Sequence, residues 1–299
     1  MTGGSDNNRE AEAVFERHRP RAFGVAYRIL GSASDAEDVV QEAWFRWRNA
    51  DTANIRNPEA WLVTTVARLG IDQLRAARAK RETYIGPWLP EPIVSAALES
   101  EPTPEDRLSL SDDISMALLH VLERLAPEER AAFLLHDAFD YDYGELSALL
   151  GKSEAACRQT VSRARKRVQE THPRFDTSSR EHLRLASAFN SAIANADPQA
   201  LIDCLSEDVV FYSDGGGKAL AALNPLYGPD RVMRFFMGIL RKRPENFTVE
   251  PATVNGLPGF IMHDEEGVHS ALSFGVSDGR ISALYMIRNP DKLARIEKR

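Results

Sequence analysis

Six side chains in one short stretch of this chain have the types and the spacing to read a DNA duplex. In "KSEAACRQTVSRARKRVQE", Lys152 to Glu170, helical periodicity gathers Cys157, Val161, Ala164 and Val168 on one face. The opposite face then carries Arg158, Gln159, Ser162, Arg163, Arg165 and Lys166. Such a row suits a helix lying in a major groove, where Arg can grip guanine, Gln can grip adenine and the later bases can hold phosphates. The stretch has six bases against two acids, in a chain whose formal net charge is −7. A second basic strip comes earlier: Arg68, Arg75, Arg78, Lys80 and Arg81 stand with Asp72 as the one acid among them. Arg68, Asp72 and Arg75 fall at i, i+4 and i+7, on one side of a helix. Between the two strips, residues 82–115 hold eight acids and one base, Arg107.

These side chains need elements to present them. Upstream of the first strip, "DYGELSALLGKS" reads as a helix opened by Asp142 and Glu145 in a capping box and ended by Gly151 in the left-handed conformation. Ser153 caps the next helix, so the pattern is helix, glycine turn, helix. Taken alone, the basic row is compatible both with a recognition helix and with the solvated face of an ordinary helical hairpin. Earlier in the chain, Ala36, Val39, Val40, Ala43, Trp44 and Trp47 repeat at helical spacing after a Ser34 or Asp35 cap. The same spacing recurs in Val63, Val66, Ala67, Gly70, Ile71 and Leu74, and again from Ile114 through Ala117, Leu118, Val121 and Leu122 to Leu125. Trp44, Trp47 and Trp61 lie at or beside inward positions, which makes core packing a better reading for them than base stacking.

Between the second and third of these helices, "YIGPWLPEPIVSAALESEPTPED" has five prolines and reads as a linker. Beyond Pro173 one more amphipathic helix, with Leu185, Phe189 and Ile193, leads into runs rich in β-branched and aromatic residues. Asn255-Gly256 and Asp278-Gly279 separate such runs, as tight hairpin turns do. A helix is expected in "GPDRVMRFFMGILRK", and the last third reads as an α+β domain with a curved antiparallel sheet.

Composition sets the outer limits. A chain of 299 residues with 43% hydrophobic side chains is long enough for two or three domains. No run of about eighteen apolar residues occurs, and the first residues lack a secretion pattern, so the expectation is a cytoplasmic protein without a membrane span. Cys157 and Cys204 are far apart and form neither a disulfide framework nor a zinc site. No phosphate-binding glycine loop, metal cluster or nucleophile motif is present, and no cofactor or metal is expected.

Two long stretches carry a resemblance. "LERLAPEERAAFLLHDAFDYDYGELSALLGKSEAACRQTVSRARKRV" is similar to the fourth conserved region of bacterial sigma factors. "ASDAEDVVQEAWFRWRN" and "PEAWLVTTVARLGIDQLRAARAKR" are similar to the second. Two such regions and no others resemble the extracytoplasmic-function (ECF) group. The resemblance implies that Ser153, Arg158, Gln159, Ser162, Arg163, Arg165 and Lys166 meet the −35 element. It implies that Arg68, Asp72, Arg75, Arg78, Lys80 and Arg81 meet the −10 element, although many relatives carry Asn where Arg68 stands. Asp35, Glu37, Asp38, Gln41 and Glu42 would meet core RNA polymerase, whose clamp coiled coil and flap are the implied partners together with promoter DNA.

The chain then continues for about 120 residues. "WLPEP" (Trp88, Leu89, Pro90, Glu91, Pro92), "DGGGK" (Asp214, Gly215, Gly216, Gly217, Lys218) and "NPDKL" (Asn289, Pro290, Asp291, Lys292, Leu293) resemble a subgroup with a fused SnoaL-like (NTF2-like) cone domain. The implied fold is multidomain: two all-α sigma domains, a region 2 helical bundle and a region 4 helix-turn-helix, followed by the α+β cone. The expected limits are 9–83 for region 2, 84–110 for the linker, 111–172 for region 4 and 178–299 for the cone. A regulator fused in the chain would stand in place of a separate anti-sigma factor, with Trp88 to Pro92 docked near the other two motifs. The glycines of "DGGGK" suggest a mobile loop. Fold alone confers no activity, and Asp214, His263 and His269 form no recognisable dyad, so a small-molecule sensor is a better reading of the cone than an enzyme. A free-standing helix-turn-helix repressor and an isomerase-like enzyme with a DNA-binding portion are the competing classes.

Overall fold

Local capping and periodicity account for most of the helices. The computed structural model describes residues 3–81, 83–96, 115–171, 179–242, 244 and 246–296, without the side chains of residues 3–8, 53, 78–81, 96, 171 and 179. Those residues divide into two units, Met1–Glu82 with Leu122–Val168, and Thr83–Val121 with Gln169–Arg299.

The first unit is helical. A long α1 (Gly3–Leu30) packs with α2 (Ala33–Asn49) and α3 (Pro58–Arg81). The helix α1 was not marked out by the sequence pattern. Ser32 caps α2 by accepting from the Asp35 amide at 3.1 Å, two residues before the nearer of the expected caps. The expected inward faces hold: Val39, Val40, Ala43 and Trp47 are buried on α2, and Val63, Val66, Ala67, Ile71 and Leu74 on α3. Trp47 sits at 1% exposure with its indole donating to the Ala11 carbonyl, while Trp44 and Trp61 are half-buried against Phe15 and Trp47. The rest of the unit is α5 (Pro127–Asp137), α6 (Tyr143–Leu150) and α7 (Glu154–Thr171). Before them, α4 (Met116–Leu122) is shorter than its sequence pattern, ending three residues before Leu125.

The second unit is built on a seven-stranded sheet. Its strands are β1 (Val94–Ala96), β2 (Leu205–Asp214), β3 (Leu226–Tyr227), β4 (Thr248–Val254), β5 (Leu257–Asp264), β6 (Gly267–Ser277) and β7 (Arg280–Ile287), in the order β1-β4-β5-β6-β7-β2-β3. Pairing is antiparallel except between β2 and β7, which run parallel and depart from the all-antiparallel expectation. The strand β1 comes from the linker itself and completes the edge beside β4. Both tight turns are where the dipeptides put them, with positive φ at Asn255, Gly256, Asp278 and Gly279.

Each sheet face buries a separate cluster. Against one lie α8 (Ser179–Ala194), α9 (Pro198–Cys204) and α10 (Pro229–Leu240), with a core that includes Phe189, Phe211, Phe236, Phe260 and Phe274. Against the other lie Leu89 of the linker, Met116 and Ala117 of α4, and Leu293 of the short α11 (Pro290–Leu293). His120 of α4 packs at a tilt against Tyr212 and Tyr285, at 4.5 and 5.6 Å between ring centres. The described part of the linker, residues 84–96, is therefore part of a core rather than a free spacer. Among the described residues no helix is long and apolar enough to cross a membrane.

Candidate nucleic-acid interface and linker clasp

The recognition-type helix is set by three local devices. Asp142 accepts from the Glu145 amide at 2.8 Å while the Glu145 side chain accepts from the Asp142 amide at 2.9 Å. Gly151 closes α6 with φ of 65°, a value that β-carbons oppose. Ser153 then accepts from the Ala156 amide at 3.3 Å and opens α7. On α7 the thiol of Cys157, Val161 and Ala164 are buried, and burial pushes the Cys157 pKa up, away from reactivity. Arg158, Gln159, Ser162, Arg163, Arg165 and Lys166 are all exposed.

Two of these arginines have partners within the unit. Arg165 donates twice to Asp137, at 2.7 and 2.6 Å, and this hydrogen bonding holds its pKa above the ordinary value. Arg158 pairs with Glu154 at 2.9 Å and lies 5.2 Å over the Tyr143 ring. Exposed pairs of this kind contribute only about 0.2–1 kcal/mol, so a phosphate can displace either carboxylate at small cost.

The second basic strip is engaged differently. Arg68 donates to the carbonyls of Ala148 and Leu149, at 2.9 and 3.4 Å, where α6 ends and its dipole is negative. Arg75 pairs with Asp72 at 3.0 Å and with Glu128. Glu128 also meets Lys152, whose hydrogen bond does most to hold the carboxyl below its ordinary pKa. The side chains of Arg78, Lys80 and Arg81 lie outside the described residues.

Behind these contacts sits a buried arginine that sequence reasoning missed. Arg130 is 1% exposed, donates to the Arg28 carbonyl at 2.9 Å and pairs with Glu123. Following two glutamates at a helix start, it reads in the sequence as a surface charge.

On α2, Asp35 accepts from Gln73 at 2.9 Å, Glu37 pairs with Arg19 at 2.8 Å and Glu42 with Arg46 at 2.9 Å. Glu37, Asp38 and Gln41 line a groove of ≈ 370 Å³ together with Phe15 and Trp44 of the same unit. An acidic rim around an aromatic floor fits a basic helical partner.

The three short motifs of the second unit converge on Asp214, which is fully buried. Its carboxylate accepts from the Tyr84 hydroxyl at 2.6 Å, the Leu89 amide at 2.8 Å and the Lys292 ammonium at 2.7 Å. Lys292 also donates to the Leu89 carbonyl and lies 4.0 Å over the Trp88 ring. Asn289 donates to the Tyr84 hydroxyl at 2.9 Å and caps α11 at Asp291. Burial, reinforced by the Asp214 carboxylate, raises the Tyr84 pKa far above its ordinary value.

The glycines are close-packed, which corrects the expectation of a loose loop. A β-carbon at Gly215 would stand 2.3 Å from the Ala219 carbonyl oxygen, and one at Gly216 would stand 2.4 Å from the Asn289 amide nitrogen. Lys218 pairs with Asp291 at 2.5 Å. Leu89, Pro90, Glu91 and Pro92 are buried, and Ile93 exchanges backbone and side-chain bonds with Asn255.

Asp214, His263 and His269 are not gathered into one site. Asp214 is committed to the clasp, His263 lies 3.4 Å from Glu250, and His269 lies 2.7 Å from Arg288.

The sequence matches the Sigma-70 region 2 family over residues 14–80 and the Sigma-70 region 4 family over residues 115–168. It is 40% identical over 289 residues to the ECF RNA polymerase sigma factor SigJ of Mycobacterium tuberculosis, covering 93% of this chain and 91% of that one. The chain belongs to the ECF sigma factor family. The crystal structure of the M. tuberculosis SigJ protein superposes with a TM-score of 0.76 at 37% identity, covering 94% of this chain and 97% of that one. A probable ECF sigma factor, SigI, from the same species is 29% identical over 286 residues, 94% of each chain. This ECF sigma factor therefore combines helical region 2 and region 4 domains with a C-terminal α+β domain, and it acts in transcription initiation with core RNA polymerase and promoter DNA.

Proposed function

We propose that this ECF sigma factor reads the −35 element with the exposed row of α7 and the −10 element with the basic strip of α3, and that its own C-terminal domain controls access to both. We assign region 2 to residues 9–83, the linker to 84–110, region 4 to 111–172 and the regulator to 178–299; the two family matches, 14–80 and 115–168, fall within the first and third. The observation that carries the reading is the contact of Arg68 with the end of α6. Elements about 25 base pairs apart lie roughly 85 Å apart along a duplex, so two reading domains held in hydrogen-bond contact are in a closed state that must open to bind both.

The clasp at Asp214 supports the regulatory half, because it locks the linker that joins the two reading domains into the core of the C-terminal domain. The full commitment of Asp214 to that clasp supports a role in regulation rather than acid–base catalysis. An in-chain regulator also removes the need for a separate anti-sigma factor, and a promoter-reading protein works in the cytoplasm.

The test is reconstituted transcription on a promoter library with core RNA polymerase. The full-length chain should yield new start sites sharing two motifs at one spacing, and Asp214→Asn should raise the yield by freeing the linker. Duplex binding without polymerase and without any dependent transcript would overturn the promoter-reading assignment. Reduced transcript from Asp214→Asn, with core binding intact, would overturn the inhibitory sign.

A further inference from the structure

The exposed row of α7 is not uniform. Arg158, Ser162 and Arg165 fall at i, i+4 and i+7, so they share one stripe of the helix, and both arginines of that stripe reach back to the residues that lead into α6. Arg165 is gripped by Asp137, the last residue of α5, and Tyr143, the first residue of α6, is near enough to it to be felt electrostatically. Arg158 has its guanidinium carbon 5.2 Å from the centre of the Tyr143 ring and one amino group 2.9 Å from Glu154. Tyr143 is half-buried and Arg158 exposed, so the ring is a platform and the guanidinium lies on its wet side.

A second ring holds the platform. His136 packs against Tyr143 with 4.4 Å between ring centres and 34° between ring planes. Its Nδ1 lies 2.7 Å from the Tyr141 carbonyl, and because a carbonyl only accepts, Nδ1 carries the proton and the imidazole is pinned. The Tyr141 amide donates back to the Leu135 carbonyl at 2.9 Å, which closes the turn between α5 and α6. Tyr143 is thus fixed by its neighbours before any DNA arrives.

The face and the edge of a guanidinium do different work. Lying over a ring uses the face, whereas the N–H groups that grip guanine O6 and N7 in pairs point from the edge. Glu154 takes one of those donors, and an exposed ion pair yields readily to a better acceptor. The ring competes with a base for none of them. It can therefore keep the side chain in place while Glu154 is exchanged for guanine. Arg158 is the fifth residue of α7, in the part of a recognition helix that meets base edges.

We propose that Tyr143 is a positioning residue for promoter reading: its ring holds the Arg158 guanidinium with its edge free for the major groove, and so sets the selectivity for guanine at the one −35 position that Arg158 reads. This rests on the assignment of α7 to the −35 element and deepens it. A long arginine without the platform would lose more rotamer freedom on meeting its base, and its preference would fall.

The test is transcription by core RNA polymerase with the full-length chain, on duplex promoters that differ by single base pairs across the −35 element. The readout is the ratio between promoters, which is independent of the sign of control by the C-terminal domain. Arg158→Ala should lower the preference for guanine about tenfold at one position, which marks that position. Tyr143→Leu should lower the preference there by about two- to fivefold and leave the other positions unchanged, and Tyr143→Phe, which keeps a ring, should restore it. In the Arg158→Ala background, Tyr143→Leu should change nothing further. Should Tyr143→Leu fail to fold, Tyr143→Gln, which also lacks a ring, carries the test. A fall at every position alike, no restoration by Tyr143→Phe, or an equal loss with and without Arg158 would each overturn the proposal and leave the −35 assignment standing. If Arg158→Ala altered the preference at no position, the assignment itself would fall, and the proposal with it.

Discussion

The recognition row of α7 and the clasp at Asp214 are both built from charges, yet they differ in what surrounds them. Arg158 and Arg165 pair with carboxylates while remaining exposed, so their partners can be exchanged for phosphate. Asp214 has no exposure, and Lys292 has 12%, so neither can leave without exposing the other. The difference teaches that in this chain a charge can exchange its partner where water reaches it and is fixed in the architecture where water does not.

The largest test of that contrast is Asp214→Ala. It strands Lys292, the Tyr84 hydroxyl and the Leu89 amide, and should destabilise the C-terminal unit by about 3–5 kcal/mol in denaturant unfolding, with early proteolysis of the linker. Unchanged stability would show the clasp to be ornamental. Arg130→Ala should come next, because Glu123 then loses its cation in a nearly buried site. A loss of about 2–4 kcal/mol is expected for the helical unit by thermal unfolding, and an effect below about 1 kcal/mol would erase the distinction between buried and exposed arginines.

Arg163→Ala should behave in the opposite way. Promoter binding, measured by titration with polymerase holoenzyme, should weaken by about 1–3 kcal/mol at one position of the −35 element. Stability should stay within about 0.5 kcal/mol of the parent. A stability loss without a binding loss would reclassify the row as structural.

The smallest expected effect is a pH dependence. His182 is 3% exposed and its pKa is lowered, first by burial. A base whose folded pKa lies below its unfolded value stays neutral in the folded state, so its stabilising preference is complete above the unfolded pKa, about 6.5, and is lost as pH falls through it. Acid titration of the C-terminal unit should therefore show weakening below about pH 6.5 that His182→Gln removes. An identical profile in the variant would place the pH dependence elsewhere.

Several elements were legible in the sequence for a plain reason: their determinants are local. The capping box of Asp142 and Glu145, the turn at Gly151, the two hairpin dipeptides and the two-faced pattern of α7 each lie within a few residues. The same locality explains the errors. The cap of α2 fell at Ser32 because neighbouring Ser and Asp side chains are near-equivalent in sequence. The glycines of "DGGGK" looked loose because the groups that crowd them, such as Asn289, are remote in the chain.

By itself, then, the sequence determined the helical register, the turns, the basic row and the family. Only the tertiary structure decided where the charges go. Tyr84 meets Asp214 across 130 positions, Arg68 meets Ala148 across 80, and Arg130 meets the Arg28 carbonyl across 102. Periodicity reports which face of an element is inward. It cannot report which distant partner will make burial of a charge affordable, because that depends on a carboxylate, an amide and an ammonium arriving together in a place from which water is excluded.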